Sequence, residues 1–249
     1  MKALLRRIQY NLNAGLQIFD LEMKRRNSIG SHIAIDMTHL LLSSPARVIF
    51  DVGANVGQTY TFYRRKFQIA NIYCFEPTPS AFSALQVRIG KDPLATALPV
   101  ALGDTISESS LNEFRISTAN SLLSPLLANE SPSWLRNGKT RLVRQITVDH
   151  FCEDQKIDCI DILKIDTQGF DGRVLSGAAD TLKRGAIRMV SCEALFESLY
   201  EGQSDFDEIY AQLGKYGFKL VDLYEKVRAS DGVSLSYANA LFYLPSREI

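Results

Sequence analysis

From residue 45 onward, short apolar runs alternate with stretches whose apolar residues recur at helical spacing. The runs predict strands near 47–52, 71–76, 96–101, 160–166, 187–193, 218–224 and 238–244. The helical spacing predicts helices near 56–66, 79–88, 172–184 and 205–216. This alternation implies an α/β fold, a mostly parallel sheet with helices on both faces. The last two strands are joined by a loop rather than a helix, so they are expected to pair as an antiparallel hairpin. Ahead of this domain, expected over 45–249, residues 1–44 read as a helical extension. Leu4, Ile8, Leu12, Leu16, Phe19 and Met23 recur there at helical spacing.

Charge narrows the function classes. The 249 residues carry 28 basic and 28 acidic side chains, so no basic groove for nucleic acid is expected. The basic residues of 1–26 (Lys2, Arg6, Arg7, Lys24, Arg25 and Arg26) outnumber Asp20 and Glu22. A helix so charged could touch an anionic membrane surface. The reading favoured here is that it packs on its own domain or on a second subunit, as in a homodimer. No apolar run reaches the roughly 18 residues of a membrane span. Met1 to Arg26 is too charged for a secretory signal, which points to the cytoplasm. Cys74, Cys152, Cys159 and Cys192 fit no zinc spacing and are expected to be reduced and mainly buried.

The chemistry concentrates at strand ends. The first strand closes on Asp51 and runs into Gly53-Ala54-Asn55-Val56-Gly57 before a helix begins. Gly53 permits a tight turn, and Gly57 lets the helix approach its strand. The second strand closes on Phe75-Glu76-Pro77, which places Glu76 to take both hydroxyls of a ribose. Asn55 stands where a phosphate-binding loop would carry a further glycine, and Asp51 would repel a phosphate. A cationic adenosine cofactor without phosphate, S-adenosylmethionine, fits better than a dinucleotide. A nicotinamide-dependent oxidoreductase and a cofactor-binding subunit without catalysis remain the alternatives.

Further blocks extend this into a family likeness: Ala101-Leu102-Gly103-Asp104, Leu163 to Asp171, Glu193, and the closing Asn239-Ala240-Leu241-Phe242. With these blocks, the chain from about 46 to 244 resembles the FkbM family of S-adenosylmethionine-dependent methyltransferases. Lys164-Ile165-Asp166-Thr167-Gln168-Gly169 is the most specific part. Asn239 and Asp171 depart from the family's more usual Asp and Glu, respectively. The resemblance implies a class I methyltransferase sheet of seven strands ending in the antiparallel hairpin. It also implies a small hydroxylated acceptor, such as a sugar or a glycan- or lipid-linked intermediate. Asn120-Ser121, similar to the family pattern, is expected near the cofactor.

Roles follow for the acids at the strand ends, where open α/β sheets bind ligands. Asp51 would support the loop and the methionyl ammonium, and Asp104, after Gly103, is either an adenine ligand or a turn residue. Asp166 is the first candidate for a base or acceptor-orienting group, Glu193 the second, and His150 a further candidate. Asp166 and Glu193 could instead share a divalent cation, a reading not favoured because a third oxygen ligand is not evident. Lys164, in a buried run, is expected to pair with an acid. The segment 116–141, with Trp134, is expected to be a lid or acceptor wall, against the alternative of a surface loop.

Overall fold

The computed structural model describes residues 29–42, 44–126, 135 and 138–245. The expected helix over 1–26, with its membrane or subunit contact, and Trp134 lie outside these described residues. The order is α1 (Ile33–Leu40), β1 (Val48–Val52), α2 (Gln58–Lys66), β2 (Asn71–Phe75), α3 (Pro79–Ile89), β3 (Ala95–Leu98), β4 (Ala101–Leu102) and β5 (Ser107–Glu113). There follow β6 (Lys139–Ile146), α4 (Val148–Gln155), β7 (Ile160–Ile165), α5 (Asp171–Ser176), α6 (Ala179–Lys183), β8 (Ile187–Leu195), α7 (Phe206–Lys215), β9 (Lys219–Arg228) and β10 (Leu235–Tyr243).

Seven strands form one sheet in the order β3-β2-β1-β7-β8-β10-β9. All neighbours are parallel except those of β10, which runs antiparallel to both β8 and β9. The strand order reverses between β1 and β7, and the carboxyl ends of β1, β2 and β7 open together there. Every residue of β7 is buried, as a central parallel strand requires.

The two faces bury separate cores. Phe50, Phe75, Leu163, Val190 and Phe242 face one side, with Phe151 of α4 edge-on to Phe50 and Phe75. Ile49, Ile72, Ile162, Met189 and Leu241 face the other, under Tyr63 of α2 and Met37 of α1. Asp36 of α1 is fully buried and accepts from Tyr224 at 2.5 Å and from the Gly30 amide at 2.7 Å. At the amino end of β7, Asp161 accepts from the amides of Arg47 and Val48 and from Arg188. These bonds tie the entry of β1 to β7 and β8.

Three features differ from the sequence reading. The strand expected over 96–101 is two strands, and β4 leaves the main sheet to join a three-stranded sheet in the order β4-β6-β5. The helix expected over 172–184 is broken in two. A Cβ on Gly177 would overlap the Gly103 carbonyl, and Asp149 caps the second piece through the amides of Asp180 and Thr181, both at 2.9 Å. Helix α4, begun by the Thr147 hydroxyl accepting from the His150 amide, was not anticipated. Of the cysteines, Cys159 is exposed and the other three are buried.

Candidate active site

The loop after β1 is shaped by a backbone close approach. Gly53 has φ 71°, and a Cβ there would overlap the carbonyl of Asp166 at the end of β7. That contact draws the ends of β1 and β7 together, so no larger residue fits. The amides of Gly53 and Ala54 both donate to the Phe75 carbonyl at 3.0 Å, which joins the loop to β2. Gly57 starts α2 and packs on Leu85 and Arg88 of α3.

Glu76 follows β2 and is 6 % exposed. Its Oε2 accepts from the Asn55 amide and its Oε1 from the Thr78 amide, each at 2.8 Å. Burial raises its pKa, and those two amides pull it back down. A carboxylate offers about four lone-pair sites, so one on each oxygen stays free for a ligand hydroxyl. Thr78, not singled out in the sequence, links onward: its Oγ1 accepts from Asn120 at 3.2 Å. Asn55 accepts from the Ser117 hydroxyl at 3.1 Å. Ser121 donates to the Gln168 carbonyl at 2.8 Å.

These residues enclose a cavity of about 260 Å³. Gly53, Ala54, Asn55, Glu76, Pro77, Asn120, Ser121 and Asp166 line it, with Phe75, Leu102, Leu111 and Phe170 as apolar walls. An apolar slot beside a buried carboxylate fits an adenosine.

Asp51 does not reach this cavity. It is fully buried, with Oδ1 3.0 Å from Lys164 Nζ. Burial raises its pKa and Lys164 counteracts it. Lys164 does line the cavity; its Nζ donates to the carbonyls of Gly53 (3.2 Å) and Val52 (3.4 Å) and lies 3.5 Å from Asp166. Burial alone would lower the Lys164 pKa, yet the charges of Asp51 and Asp166 raise it above the ordinary value. Lys164 is therefore a buried cation supporting the loop from beneath, paired with an acid as expected from sequence.

Beside this cavity lies a larger cleft of about 950 Å³, which shares Thr118, Asp166 and Gln168 with it and is also lined by Glu193. Gln168 joins the two candidate acids: its Nε2 donates to Glu193 at 2.7 Å and to Asp166 at 3.2 Å. It holds a left-handed backbone, φ 53°, a strain that the Ser121 bond to its carbonyl helps to fix. Burial, followed by the charges of Asp166 and Asp171, pushes the Glu193 pKa well above the usual carboxylate range. Glu193 therefore favours its neutral form.

Three more expected site residues fall elsewhere. Asp104 is exposed in the turn after β4, and Gly103 is buried behind Gln145 and Phe170; neither lines the cavity. His150 lies in the first turn of α4, whose core-facing positions are taken by Val148, Phe151 and Cys152. It lines neither cavity. Among the described residues no group of three or more His, Cys, Asp or Glu is arranged around a metal site. Between Asp166 and Glu193 stands a donor amide, where a shared cation would need an acceptor. Asn239, the departure from the family's Asp, donates to Glu225 at 2.6 Å, so an Asp there would face a like charge.

The strand order, the reversal between β1 and β7 and the glycine loop facing Glu76 define a class I methyltransferase fold. The methyltransferase domain of METTL16 shares it, with a TM-score of 0.50 at 9 % identity over 92 % of this chain and 75 % of that one. The chain belongs to the FkbM methyltransferase domain family, whose model matches residues 51–220. Among curated relatives, 2-O-methyltransferase NoeI of Sinorhizobium fredii is 26 % identical over 172 residues, 66 % of this chain and 69 % of that protein. Hexuronic acid methyltransferase AglP of Haloferax volcanii is 27 % identical over 150 residues, 59 % of this chain and 57 % of AglP.

Proposed function

We propose that this chain is a cytoplasmic O-methyltransferase that uses S-adenosylmethionine to methylate a hydroxyl of a sugar, free or linked to a glycan or lipid. One observation carries the reading: Asp166 stands where the adenosine-sized cavity and the larger cleft meet. The names of NoeI and AglP support a sugar-type acceptor.

When bound, S-adenosylmethionine supplies a methyl group on a positively charged sulfur. The chain's own residues do the rest. Glu76 would hold the ribose hydroxyls on its free lone pairs, and Asn120 and Ser121 would close the slot over the adenosine. Lys164 fixes the loop carbonyls and neutralises Asp51, so the loop keeps one shape as ligands come and go. In the cleft, Asp166 would accept the hydrogen bond of the attacking hydroxyl and take its proton. Protonated Glu193 and the Gln168 amide would hold Asp166 in place and stabilise its charge. Orientation of this kind accounts for roughly 7–11 kcal/mol of such barriers.

Calorimetric titration with S-adenosylhomocysteine, with NAD in parallel, tests the cofactor. Micromolar binding of the first alone supports the proposal; binding of NAD alone overturns it. Transfer of labelled methyl to sugar hydroxyls, unaffected by EDTA, is the expected activity. Loss of turnover in EDTA, restored by Mg²⁺, would return Asp166 and Glu193 to the role of metal ligands.

A further inference from the structure

The cleft beyond Asp166 extends well past the space one sugar would fill. Its volume of about 950 Å³ lies near the top of the roughly 300–1,000 Å³ range that encloses multi-ring ligands. Its floor follows one face of the sheet outward from Glu193. Leu195, two residues along β8, pairs with Tyr237 of β10, and Tyr237 pairs in turn with Val227 of β9. Irregular pairing on either side of Tyr237 twists the hairpin at this point. Tyr237, 37 % exposed, lines the cleft, and so does Arg228 at the end of β9.

Arg228 is the cleft's one basic side chain among the described residues. Its Nη1 donates to the Val233 carbonyl at 2.7 Å, which pins the side chain to its own hairpin. No described carboxylate lies within ion-pair distance of it. Asp231, in the same hairpin, accepts instead from the amides of Val233 (2.7 Å) and Ser234 (2.9 Å). The other ionisable groups on the cleft wall are Asp166, Glu193 and Glu197, all acids. A tethered guanidinium with free N–H groups matches a carboxylate or phosphate. An exposed aromatic face suits the C–H face of a sugar ring. From Glu193 to Arg228 at the β9 end is two strands over and four residues on along β10, roughly 16 Å at normal strand spacing. That exceeds the span of one pyranose ring.

Resting on the proposed methyl transfer to a sugar hydroxyl, we propose that this cleft takes an anionic oligosaccharide. Tyr237 underlies a ring next to the methylated unit, and Arg228 clamps a carboxylate or phosphate carried at least one sugar away from the hydroxyl at Asp166. Arg228 and Tyr237 are thus specificity residues for the acceptor and have no part in cofactor binding.

The test uses the full chain saturated with S-adenosylhomocysteine. It is applied to an array of uronate oligosaccharides, their carboxyl-reduced counterparts, and neutral oligosaccharides with and without a terminal phosphate. Retention of anionic members only supports the proposal, and which anion is retained separates ring carboxylate from linker phosphate. Arg228→Gln should weaken that binding at least tenfold, with Arg228→Lys retaining part of it. Tyr237→Ala should weaken it while Tyr237→Phe does not, and all four variants should bind S-adenosylhomocysteine normally. Equal retention of carboxyl-reduced members, or no retention while S-adenosylhomocysteine binds, overturns the proposal. Failure of the unsubstituted chain to bind S-adenosylhomocysteine overturns the methyltransferase reading beneath it.

Discussion

Replacing Lys164 by methionine isolates the buried charge pair beneath the cofactor loop. At 3.0 Å and an effective dielectric of ~20, the attraction between Lys164 and Asp51 is about 5 kcal/mol. Most of it offsets the cost of taking both groups out of water, so the intact pair contributes little net stability. Removing the cation leaves Asp51 fully buried and without an opposing charge. Asp51 then escapes its desolvation only by taking up a proton, and that sets a ceiling. Relative to its ordinary pKa of 3.8, holding it protonated costs about 4 kcal/mol at pH 7 and about 1.5 kcal/mol at pH 5.

The sign follows from the raised pKa of an acid. In Lys164→Met the folded state binds a proton that the unfolded state has released, so the variant loses stability relative to wild type as pH rises from about 4 to 7. Urea denaturation of both proteins at pH 5 and pH 7 measures it. The expected deficit grows between the two pH values, and Asp51→Asn in the Lys164→Met background should recover most of it at pH 7. A deficit below about 1 kcal/mol at pH 7, or one independent of pH, would refute a buried ion pair here.

Glu76→Ala removes both amide bonds and the free lone pairs, so the S-adenosylhomocysteine dissociation constant should rise more than tenfold by calorimetry; unchanged affinity would remove Glu76 from the cofactor site. Asp166→Asn should leave that affinity within about twofold and slow methyl transfer by roughly 10²-fold or more in single-turnover assays; a normal rate would move the base role to Glu193. Asp171 is 1 % exposed, and burial pushes its pKa up to about 6 from 3.8. Its folded pKa is raised, so the protein loses about 3 kcal/mol on this account as pH rises from about 4 to 6. Asp171→Asn, which keeps an acceptor for the Thr167 hydroxyl at 2.8 Å, should flatten that slope in urea titrations. An unaltered slope would assign it to other groups.

What was legible in the chain is what neighbouring residues determine. The strands leading to Asp51 and Glu76, the loop between β1 and α2, and the helices 58–66, 79–89 and 206–215 all follow from apolar period and turn residues close in sequence. The three-stranded sheet was not legible, because β5 reads Ser-Glu-Ser-Ser-Leu-Asn-Glu and buries only Leu111. No alternation marks such an edge strand. The break between α5 and α6 depends on Gly103 and Asp149, each some 30–75 residues distant in sequence, which no local pattern reports. Gln168 stood inside the most specific motif, but its bridging role appears only when β7 and β8 lie side by side.

The same contrast explains why the polar residues of this sheet sit where they do. Asp51, Lys164, Glu193 and Asn239 lie near the ligand-binding end of the sheet, while deeper positions on the same face hold Ile49, Ile162, Met189 and Leu241. A sheet selected for stability alone would do as well with apolar side chains at both levels, since a buried ion pair returns little beyond its own desolvation. Lys164 instead uses its donors on Gly53 and Val52, the carbonyls that shape the loop, and stands within 3.5 Å of Asp166. Its charge therefore stands between two regions: it fixes the loop after β1 and lies beside Asp166 at the mouth of the cleft. Glu193, next along the edge, is pushed towards its neutral form by burial. On the proposed reading, this placement of Lys164 and Glu193 around Asp166, more than the loop motif shared by many cofactor-binding folds, suits this edge of the sheet to proton removal from a hydroxyl.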